Sequence, residues 1–491
     1  MSLSSKVLSA VKSNYLGMLA RIAAQLVAQI AIMRTLGPDL VGTFGYVLLL
    51  NGVLALVIDQ GLGWSLVQGD FSDDEVAIAF TRLLLVGSIT SMAVFAASYP
   101  IAQWVANPLA GEVIRWSAPA HIFIALYGVS HARLRRDLRF RELQYATTGA
   151  YLVAYPGVGL AMALNGCGVW SLLGAWYAQS LLQIAVGRWY ANHSLRLKGP
   201  WRACRAGPLG RKVASINLLN WVVDNSGGAI ISGMGATALG TFNAASVLAR
   251  QPALQLVQTL QSLLFATASA IDPEPLRVRR LYLSALSMVS LVIFPIYGYF
   301  VFHADLLVTL VFGRQWHAAG PVLAALSLGM VAMALSAVTS SVLTATGGQH
   351  AVIRSQVLCF GLMLPGLMWA SMQSVTAIAW VVSIAFTLRF VWQVTAVVRS
   401  GAVGSAEVLG TLQGPLVMGT LAALPLTHWW RPTGLTVADE AVSLTLVAAL
   451  ELLMIRLLPR FFVTLACIEV LKRVASGRWL MRALGLHPLV R

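Results

Sequence analysis

The chain has 491 residues, of which 58% are hydrophobic and only 11% are charged. Soluble globular chains carry about 25% charged residues, so too little polar surface remains here to coat a water-soluble body. This composition excludes a soluble enzyme, a disordered chain and a nucleic-acid-binding domain, although the formal net charge is +16.

Hydrophobic stretches of bilayer length recur along the whole chain. A transmembrane helix needs about 20 mainly apolar residues, and short polar or Gly/Pro breaks divide the sequence into fourteen such segments. We number them spans 1 to 14 and predict an all-α polytopic membrane protein, in which the long span 8 is tilted, kinked at Pro252 or projects beyond the membrane. The predicted spans are 13–33, 41–67, 76–99, 113–131, 144–164, 167–187, 213–235, 236–269, 281–302, 318–345, 352–371, 374–398, 408–428 and 441–458.

The positions of Lys and Arg orient these spans. With the N-terminus inside, 25 of the 34 Lys and Arg residues fall in cytoplasmic segments, four fall outside and five lie within spans. Cytoplasmic loops retain basic residues, so we predict cytoplasmic N- and C-termini and an even number of spans. The basic character then reflects topology and attraction to anionic membrane lipids rather than nucleic-acid binding.

A short motif recurs at an offset of 198 residues. Residues 37–44 read GPDLVGTF and residues 235–242 read GATALGTF. Each copy joins two predicted spans on the outer side, and an outer segment follows both span 3, at 102–116, and span 9, at 305–316. We interpret this as a duplication that gives two pseudo-symmetric six-span lobes of the same orientation around a central cavity.

The duplication predicts four regions. Residues 1–212 form an N-terminal lobe with a basic cytoplasmic loop, and residues 213–400 form a C-terminal lobe. Residues 401–458 add spans 13 and 14, and residues 459–491 form a basic cytoplasmic tail. Because this tail alternates apolar and basic residues, it either lies on the membrane as an amphipathic helix or acts only as a topological signal.

Polar residues concentrate in spans 1, 2, 7 and 8. An ionisable group in a span costs at least about 2.5–3.5 kcal/mol on insertion scales, so such groups usually face a protein interior or a watery cavity. We therefore predict a hydrated path lined by these four spans. The candidate substrate-binding residues are Arg21, Gln25, Gln29, Asn51, Asn217, Asn220, Asn243, Arg250 and Gln258.

The charged residues of these spans have two interpretations. Arg21 and Arg250 offer fixed positive charge to an anionic ligand, and the planar guanidinium suits phosphate. Alternatively, Arg21 pairs with Asp224 and Arg250 pairs with Asp59 as structural ion pairs, and both arrangements can hold in different conformations. The two aspartates are also candidates for ion coupling. Arg389, in the cytoplasmic half of span 12, either lines the interior or snorkels to the interface.

No motif for a catalytic, cofactor or metal site is present. The cysteines form no C-x-x-C pair, so neither a disulfide framework nor a zinc site is predicted. The sequence also lacks a G-x-x-x-x-G-K-[ST] phosphate loop, an H-E-x-x-H motif and a G-x-S-x-G elbow. We predict neither an enzyme nor a resident cofactor.

Several short motifs occur in order from span 1 to span 10. They are RTLGPDLVG at 34–42, DQG at 59–61, SLVQ at 65–68, LRF at 138–140, LVFGRQW at 310–316 and PVL at 321–323. These motifs resemble those of the Wzx-type oligosaccharide flippases, in the multidrug/oligosaccharidyl-lipid/polysaccharide flippase superfamily, and the resemblance is to the colanic-acid-exporter-like branch.

The resemblance implies a multi-pass protein of the bacterial inner membrane, with two six-helix lobes forming a V and two additional helices. It implies that undecaprenyl-pyrophosphate-linked sugar repeat units cross from the cytoplasmic to the periplasmic leaflet by alternating access. It also implies a lipid-linked oligosaccharide, membrane lipids, a polysaccharide polymerase and export machinery as partners. Cationic cavity residues are typical of these flippases, and Arg21 and Arg250 are the candidates here.

Two other functions stay open at this point. A cation-coupled multidrug antiporter of the same superfamily would favour a carboxylate-lined cavity, whereas arginine and amide residues are prominent here. A membrane glycosyltransferase or polymerase acting on lipid-linked sugars would usually use a sizeable extramembrane loop, and none is evident in the sequence.

Overall fold

The computed structural model describes residues 26–59, 72–137, 139–192, 196–199, 208–268, 275–401 and 403–423, with isolated positions between 445 and 456. The described residues form helices, and no strand occurs among them. The chain divides into two compact units, Met1–Thr241 and Phe242–Arg491.

The first unit contains eight described α-helices and the first turns of a ninth. They are α1 (Leu26–Thr35), α2 (Pro38–Asp59), α3 (Asp73–Trp104), α4 (Pro108–Ser117), α5 (Ala120–Arg136), α6 (Phe140–Leu164), α7 (Trp170–Ala191), α8 (Pro208–Ile231) and the start of α9 (Ala236–Ala268). The second unit holds the rest of α9 and six further described helices. They are α10 (Pro275–Phe302), α11 (Ala304–Phe312), α12 (Ala319–Ala345), α13 (Gln349–Ser371), α14 (Val375–Arg399) and α15 (Ser405–Ala423).

Local sequence fixes several helix starts. Ser72 caps α3 in a capping box, in which its hydroxyl accepts from the Glu75 backbone N–H and the Glu75 carboxylate accepts from the Ser72 N–H. Asn107 caps α4, with Pro108 at its first position. These caps satisfy backbone donors at the ends of apolar helices, where membrane lipid would offer no partner.

Two pairs of helices in the second unit approach each other closely at glycine residues. A Cβ added to Gly298 of α10 would lie 2.1 Å from the carbonyl oxygen of Gly419 in α15, so only glycine allows this helix crossing. On α12, Gly329 likewise lies against Ser383 of α14, whose hydroxyl donates to the Ala325 carbonyl at 2.6 Å. The packing of α10 on α15 and of α12 on α14 therefore rests on small residues and, in the second pair, on a buried hydroxyl.

The all-α membrane fold predicted from the sequence is confirmed, and a count of fourteen spans is consistent with the structure. Among the described residues, seven helices are long and apolar enough to cross a membrane. They begin at Pro38, Asp73, Phe140, Val278, Ala319, Gln349 and Val375.

Span 4 differs from its prediction, because the predicted start at 113 lies inside the short helix α4, and α5 begins only at Ala120. A turn at 118–119 separates these two helices, and hydropathy alone had merged them. The outer segments predicted after spans 3 and 9 correspond to the short helices α4 and α11. Most of span 1 and of span 14, and the tail at 459–491, lie outside the described residues. The four-region division stays a prediction.

Candidate functional site

The two copies of the repeated motif cross each other within the first unit. A Cβ added to Gly42 would lie 1.7 Å from the Ala236 carbonyl oxygen, and one added to Gly240 would lie 1.8 Å from the Pro38 carbonyl oxygen. These two contacts are related by the same 198-residue offset as the motif. The glycines are therefore needed because the backbones of α2 and α9 meet without any side chain between them.

The hydrogen bonds at this outer crossing repeat with the same offset. The Thr43 hydroxyl donates to the Asp39 carbonyl at 2.9 Å, and the Thr241 hydroxyl donates to the Thr237 carbonyl at 2.8 Å. Two bonds have no counterpart of this kind: the Thr237 hydroxyl donates to the Asp39 carboxylate at 3.4 Å, and the Asn107 amide donates to the Thr43 hydroxyl at 3.4 Å. We name residues 38–43 and 236–241 the outer crossing. The contacts repeated at this offset in the outer crossing support the duplication inferred from the sequence.

Helix α8 continues this contact along α2. The Tyr46 hydroxyl donates to the Ser232 carbonyl at 3.2 Å. Further along α2, Gly52 makes room for an indole ring, because a Cβ added there would lie 2.3 Å from Trp221 Nε1. Helices from spans 2 and 7, two of the four predicted to be polar, are thus packed directly against each other.

The predicted polar residues of the first unit are only partly described. Arg21 and Gln25 lie outside the described residues, and the side chain of Asn217 also does. Half-buried positions in α1, α2 and α8 are held by Gln29, Asn51, Asn220, Asp59 and Asp224. The Asn51 Oδ1 is buried and has no hydrogen-bond partner among the described residues, whereas Asn220, Asp59 and Asp224 each engage a neighbouring group.

On α9, in the second unit, Asn243 and Arg250 are half-buried, and the side chain of Gln258 is not described. Arg250 engages a neighbouring group and is not a free cation. The predicted pairings of Arg21 with Asp224 and of Arg250 with Asp59 stay predictions.

The turn of α9 that carries Arg250 has an unusual backbone. Pro252 has no N–H to donate to the preceding turn, and its ring crowds that turn. The hydroxyl of Tyr297, from α10, bridges the Ala249 carbonyl and the Ala253 N–H, the two groups that a regular helix joins to each other. It donates to the carbonyl and accepts from the N–H at 3.1 Å. A side chain inserted into the ladder in this way typically bends a helix.

Tyr297 is fully buried, so this insertion is part of the core of the second unit. It fixes the backbone on both sides of Arg250. The sequence signal was the proline within a long apolar span, for which a kink was one of three predicted outcomes. The identity of the group that stabilises this turn could not be read from the sequence.

A second irregular helix is α6, which includes two π-helical segments, Tyr145–Gly149 and Ala154–Gly159. In such segments the backbone hydrogen bonds join residues five positions apart instead of four, and these segments often mark functional positions. Tyr151 and Tyr155 stack with their ring centroids 4.2 Å apart and an interplanar angle of 15°. Pro156 was the only sequence signal for this irregularity, and the prediction treated span 5 as a plain helix.

Charged contacts outside the spans are conventional surface pairs. Arg279 donates through Nε to the Glu407 carboxylate at 3.0 Å, and Nη2 makes a second contact with the same carboxylate. The Arg279 hydrogen bonds and the Gly404 N–H lower the pKa of the Glu407 carboxyl. Lys198 similarly pairs with Asp74.

In the described part of the chain, no group of three or more His, Cys, Asp or Glu side chains is arranged to hold a metal ion.

A family model described as polysaccharide biosynthesis protein matches residues 31–321, more than half of the chain. The chain is 23% identical over 352 residues to the teichuronic acid biosynthesis protein TuaB of Bacillus subtilis (strain 168), covering 68% of this chain and 70% of that protein. It is 21% identical over 328 residues to the lipopolysaccharide biosynthesis protein WzxC of Escherichia coli (strain K12), covering 66% of each.

Two solved structures share the fold. The lipid II flippase MurJ in an inward closed conformation superposes with a TM-score of 0.74 at 11% identity, covering 92% of this chain and 99% of that chain. An inward-facing multidrug resistance MATE family transporter of the MOP superfamily gives a TM-score of 0.56 at 16% identity, covering 78% and 96%. At such identities the likeness concerns the fold alone.

These findings confirm the resemblance to Wzx-type proteins. The chain is a multi-pass membrane protein that belongs to the polysaccharide biosynthesis protein family.

Proposed function

We propose that this protein is a flippase that moves undecaprenyl-pyrophosphate-linked oligosaccharide repeat units across the bacterial inner membrane. The family and the names of the relatives support a role with lipid-linked polysaccharide precursors. The observation that carries the proposal is Arg250, a guanidinium held within an apolar helix at a turn that Pro252 and Tyr297 interrupt. A fixed cation in a span suits the phosphate of a lipid-linked sugar.

In this proposal, Arg21 and Arg250 engage the pyrophosphate. The amide side chains of spans 1, 2, 7 and 8 hydrogen-bond the sugar hydroxyls without adding buried charge. These are Gln25, Gln29, Asn51, Asn217, Asn220, Asn243 and Gln258. Asp59 and Asp224 either couple transport to an ion gradient or pair with the arginines when substrate is absent.

Alternating access requires the outer side to open and close, and the outer crossing lies at the predicted periplasmic ends of α2 and α9. The termini face the cytoplasm in this proposal, in agreement with the distribution of basic residues. A polysaccharide polymerase and export machinery would receive the units at the periplasmic face.

The alternative of a cation-coupled multidrug antiporter is favoured only by the shared fold with the MATE family transporter. The polar groups of α8 and α9 include one carboxylate, Asp224, beside several amides and Arg250. Extrusion of cationic dyes by the purified protein in vesicles would support this alternative.

The experiment is to deplete the protein in cells and to measure the lipid-linked oligosaccharides in each membrane leaflet. We expect complete repeat units to accumulate facing the cytoplasm, because assembly precedes translocation. Truncated units, or complete units stranded in the periplasmic leaflet, would contradict the proposal and indicate an assembling or polymerising enzyme.

Complementation with variants then tests the residues. Arg250→Ala is expected to abolish export at normal membrane abundance, whereas Arg314→Ala, in an exposed outer turn, is the matched control. Normal export by Arg250→Ala and by Arg21→Ala would remove both arginines from the mechanism.

A further inference from the structure

A buried polar pair lies between α13 and α14 in the second unit. Gln393 is 0% exposed, and its Nε2 donates to the Ser355 hydroxyl at 3.0 Å. Ser355 is itself buried at 1% exposure. The Gln393 Oε1 is buried and has no hydrogen-bond partner among the described residues.

Arg389 precedes Gln393 by one helical turn on the same face of α14. Residues three and four positions apart are neighbours on a helix surface, and Arg389 borders the buried face: Phe386 and Gln393 are buried, whereas Trp392, three positions after Arg389, is exposed. The Arg389 Nε is buried and has no hydrogen-bond partner, and no carboxylate pairs with this guanidinium within the described ranges. Arg389 is half-buried as a whole, so part of the residue remains accessible to a ligand.

The two unsatisfied atoms have complementary requirements. Arg389 Nε–H needs an acceptor, which an anion meets best because the donor carries a positive charge. Gln393 Oε1 needs a donor such as a hydroxyl. Leaving either atom buried without a partner is costly. A ligand that carries an anionic phosphate next to a hydroxyl group satisfies both atoms at once.

The depth of the site selects among phosphate ligands. Arg389 lies ten residues before the end of α14 at Arg399, or about 15 Å along the helix axis. The phosphates of resting lipids lie outside the hydrocarbon core, which is about 30 Å thick. A headgroup that is crossing the membrane must pass this depth.

We propose that Arg389 and Gln393 form a further phosphate-binding site in the second unit, which holds the phosphate and an adjoining sugar hydroxyl of a lipid-linked saccharide in transit. This inference rests on the proposed function and adds a binding site to it. A phospholipid headgroup that carries a hydroxyl, as in phosphatidylglycerol, has the same chemistry and is distinguished by the test.

The test uses the full chain in phosphatidylcholine nanodiscs. Undecaprenyl diphosphate is titrated in one arm, and phosphatidylglycerol replaces part of the lipid in the other arm. Ligand-dependent thermal stabilisation, followed by tryptophan fluorescence, gives the apparent affinity. Arg389→Gln should weaken binding by about tenfold or more, as expected for loss of a charge-assisted hydrogen bond. Arg389→Lys keeps the charge without the Nε fork and should give an intermediate loss. Arg399→Gln, at the exposed end of the same helix, is the control.

If undecaprenyl diphosphate stabilises the wild type and Arg389→Gln removes this stabilisation, the site binds the lipid carrier. If Arg389→Gln removes stabilisation only in the phosphatidylglycerol arm, the site binds a resident membrane lipid. Equal affinities in wild type, Arg389→Gln and Arg389→Lys, or no stabilisation by either ligand, would overturn the inference. A wild-type protein that translocates oligosaccharide but fails this test leaves the proposed function standing. A protein that binds here but does not translocate contradicts the proposed function instead.

Discussion

The outer crossing and the interrupted turn of α9 depart from regular helix packing in opposite ways. At the outer crossing, Gly42 and Gly240 remove side chains so that two backbones touch. At the turn of α9, Tyr297 adds a side chain, and its hydroxyl bonds to both a carbonyl and an N–H of the backbone ladder. Removal of atoms gives a rigid contact that tolerates no substitution. At the turn of α9, the contact depends on one atom, the oxygen of the Tyr297 hydroxyl.

The largest effect is expected from Gly42→Ala. The added Cβ would overlap the Ala236 carbonyl oxygen, and backbone atoms rather than a flexible side chain would have to move. We expect a loss of about 3 kcal/mol or more, at the upper end of overpacking effects. The measurement is the free energy of unfolding in mixed micelles as detergent denaturant is added, with membrane abundance in cells.

The matched control is Gly37→Ala, because a Cβ at Gly37 meets no atom within 4 Å. Gly240→Ala should repeat the Gly42→Ala effect, since the contacts are related by the repeat. If Gly42→Ala behaves like Gly37→Ala, the outer crossing is not a tight backbone contact, and the comparison with the turn of α9 fails.

A smaller effect is expected from Tyr297→Phe. Without the hydroxyl, the Ala249 carbonyl and the Ala253 N–H lose the group that joins them, and each unsatisfied buried group costs about 1–3 kcal/mol, although hydrogen bonds in membranes average less. Transport should fall further than abundance, because the same turn positions Arg250. The free energy of unfolding and the export of lipid-linked units give the two readouts.

Pro252→Ala sharpens this prediction through a double-mutant cycle. Without the proline ring, the helix can close its own ladder, so the cost of Tyr297→Phe should shrink in the Pro252→Ala background. Tyr282→Phe, which loses one buried contact with the Thr339 hydroxyl, provides the control. Equal costs of Tyr297→Phe in both backgrounds would show that the hydroxyl does not serve the turn at Pro252.

These two sites also show what the sequence can predict. The spans follow from hydrophobicity, and the repeat follows from four identical residues in eight aligned positions around Gly42 and Gly240. The orientation inferred from the basic residues stays a prediction. That the two glycines touch each other could not be predicted, because a one-dimensional repeat does not say whether its copies face one another. Pro252 predicted an irregular turn, but Tyr297 is one aromatic residue among many in an apolar span.

The candidate site also has some residues that the sequence predicts and others that it does not. Spacing placed Arg250 and the amides of α8 and α9 in spans, whereas the surroundings of Arg389 left two interpretations. Its buried Nε and its shared face with Gln393 favour the interior. Gln393 itself carried no sequence signal, because burial of one amide depends on how α13 and α14 pack.

The smallest effect is expected at the partly exposed ion pair of Arg279 and Glu407, which joins α10, the helix of Tyr297, to the start of α15. Because the hydrogen bonds from Arg279 lower the pKa of Glu407 in the folded protein, the pair stabilises the fold above the unfolded pKa of about 4.3. That contribution is lost as the pH falls through the lower folded value. Glu407→Gln should therefore flatten the acid side of the stability profile and barely change stability near neutral pH, since exposed pairs are weak.

An unchanged acid slope in Glu407→Gln would mean that other carboxyl groups determine how stability falls at acid pH. A large loss of stability at neutral pH would mean that the Glu407 charge contributes as much as the buried Tyr297 hydroxyl. The two contacts of α10, one buried and one at the surface, would then not differ in strength.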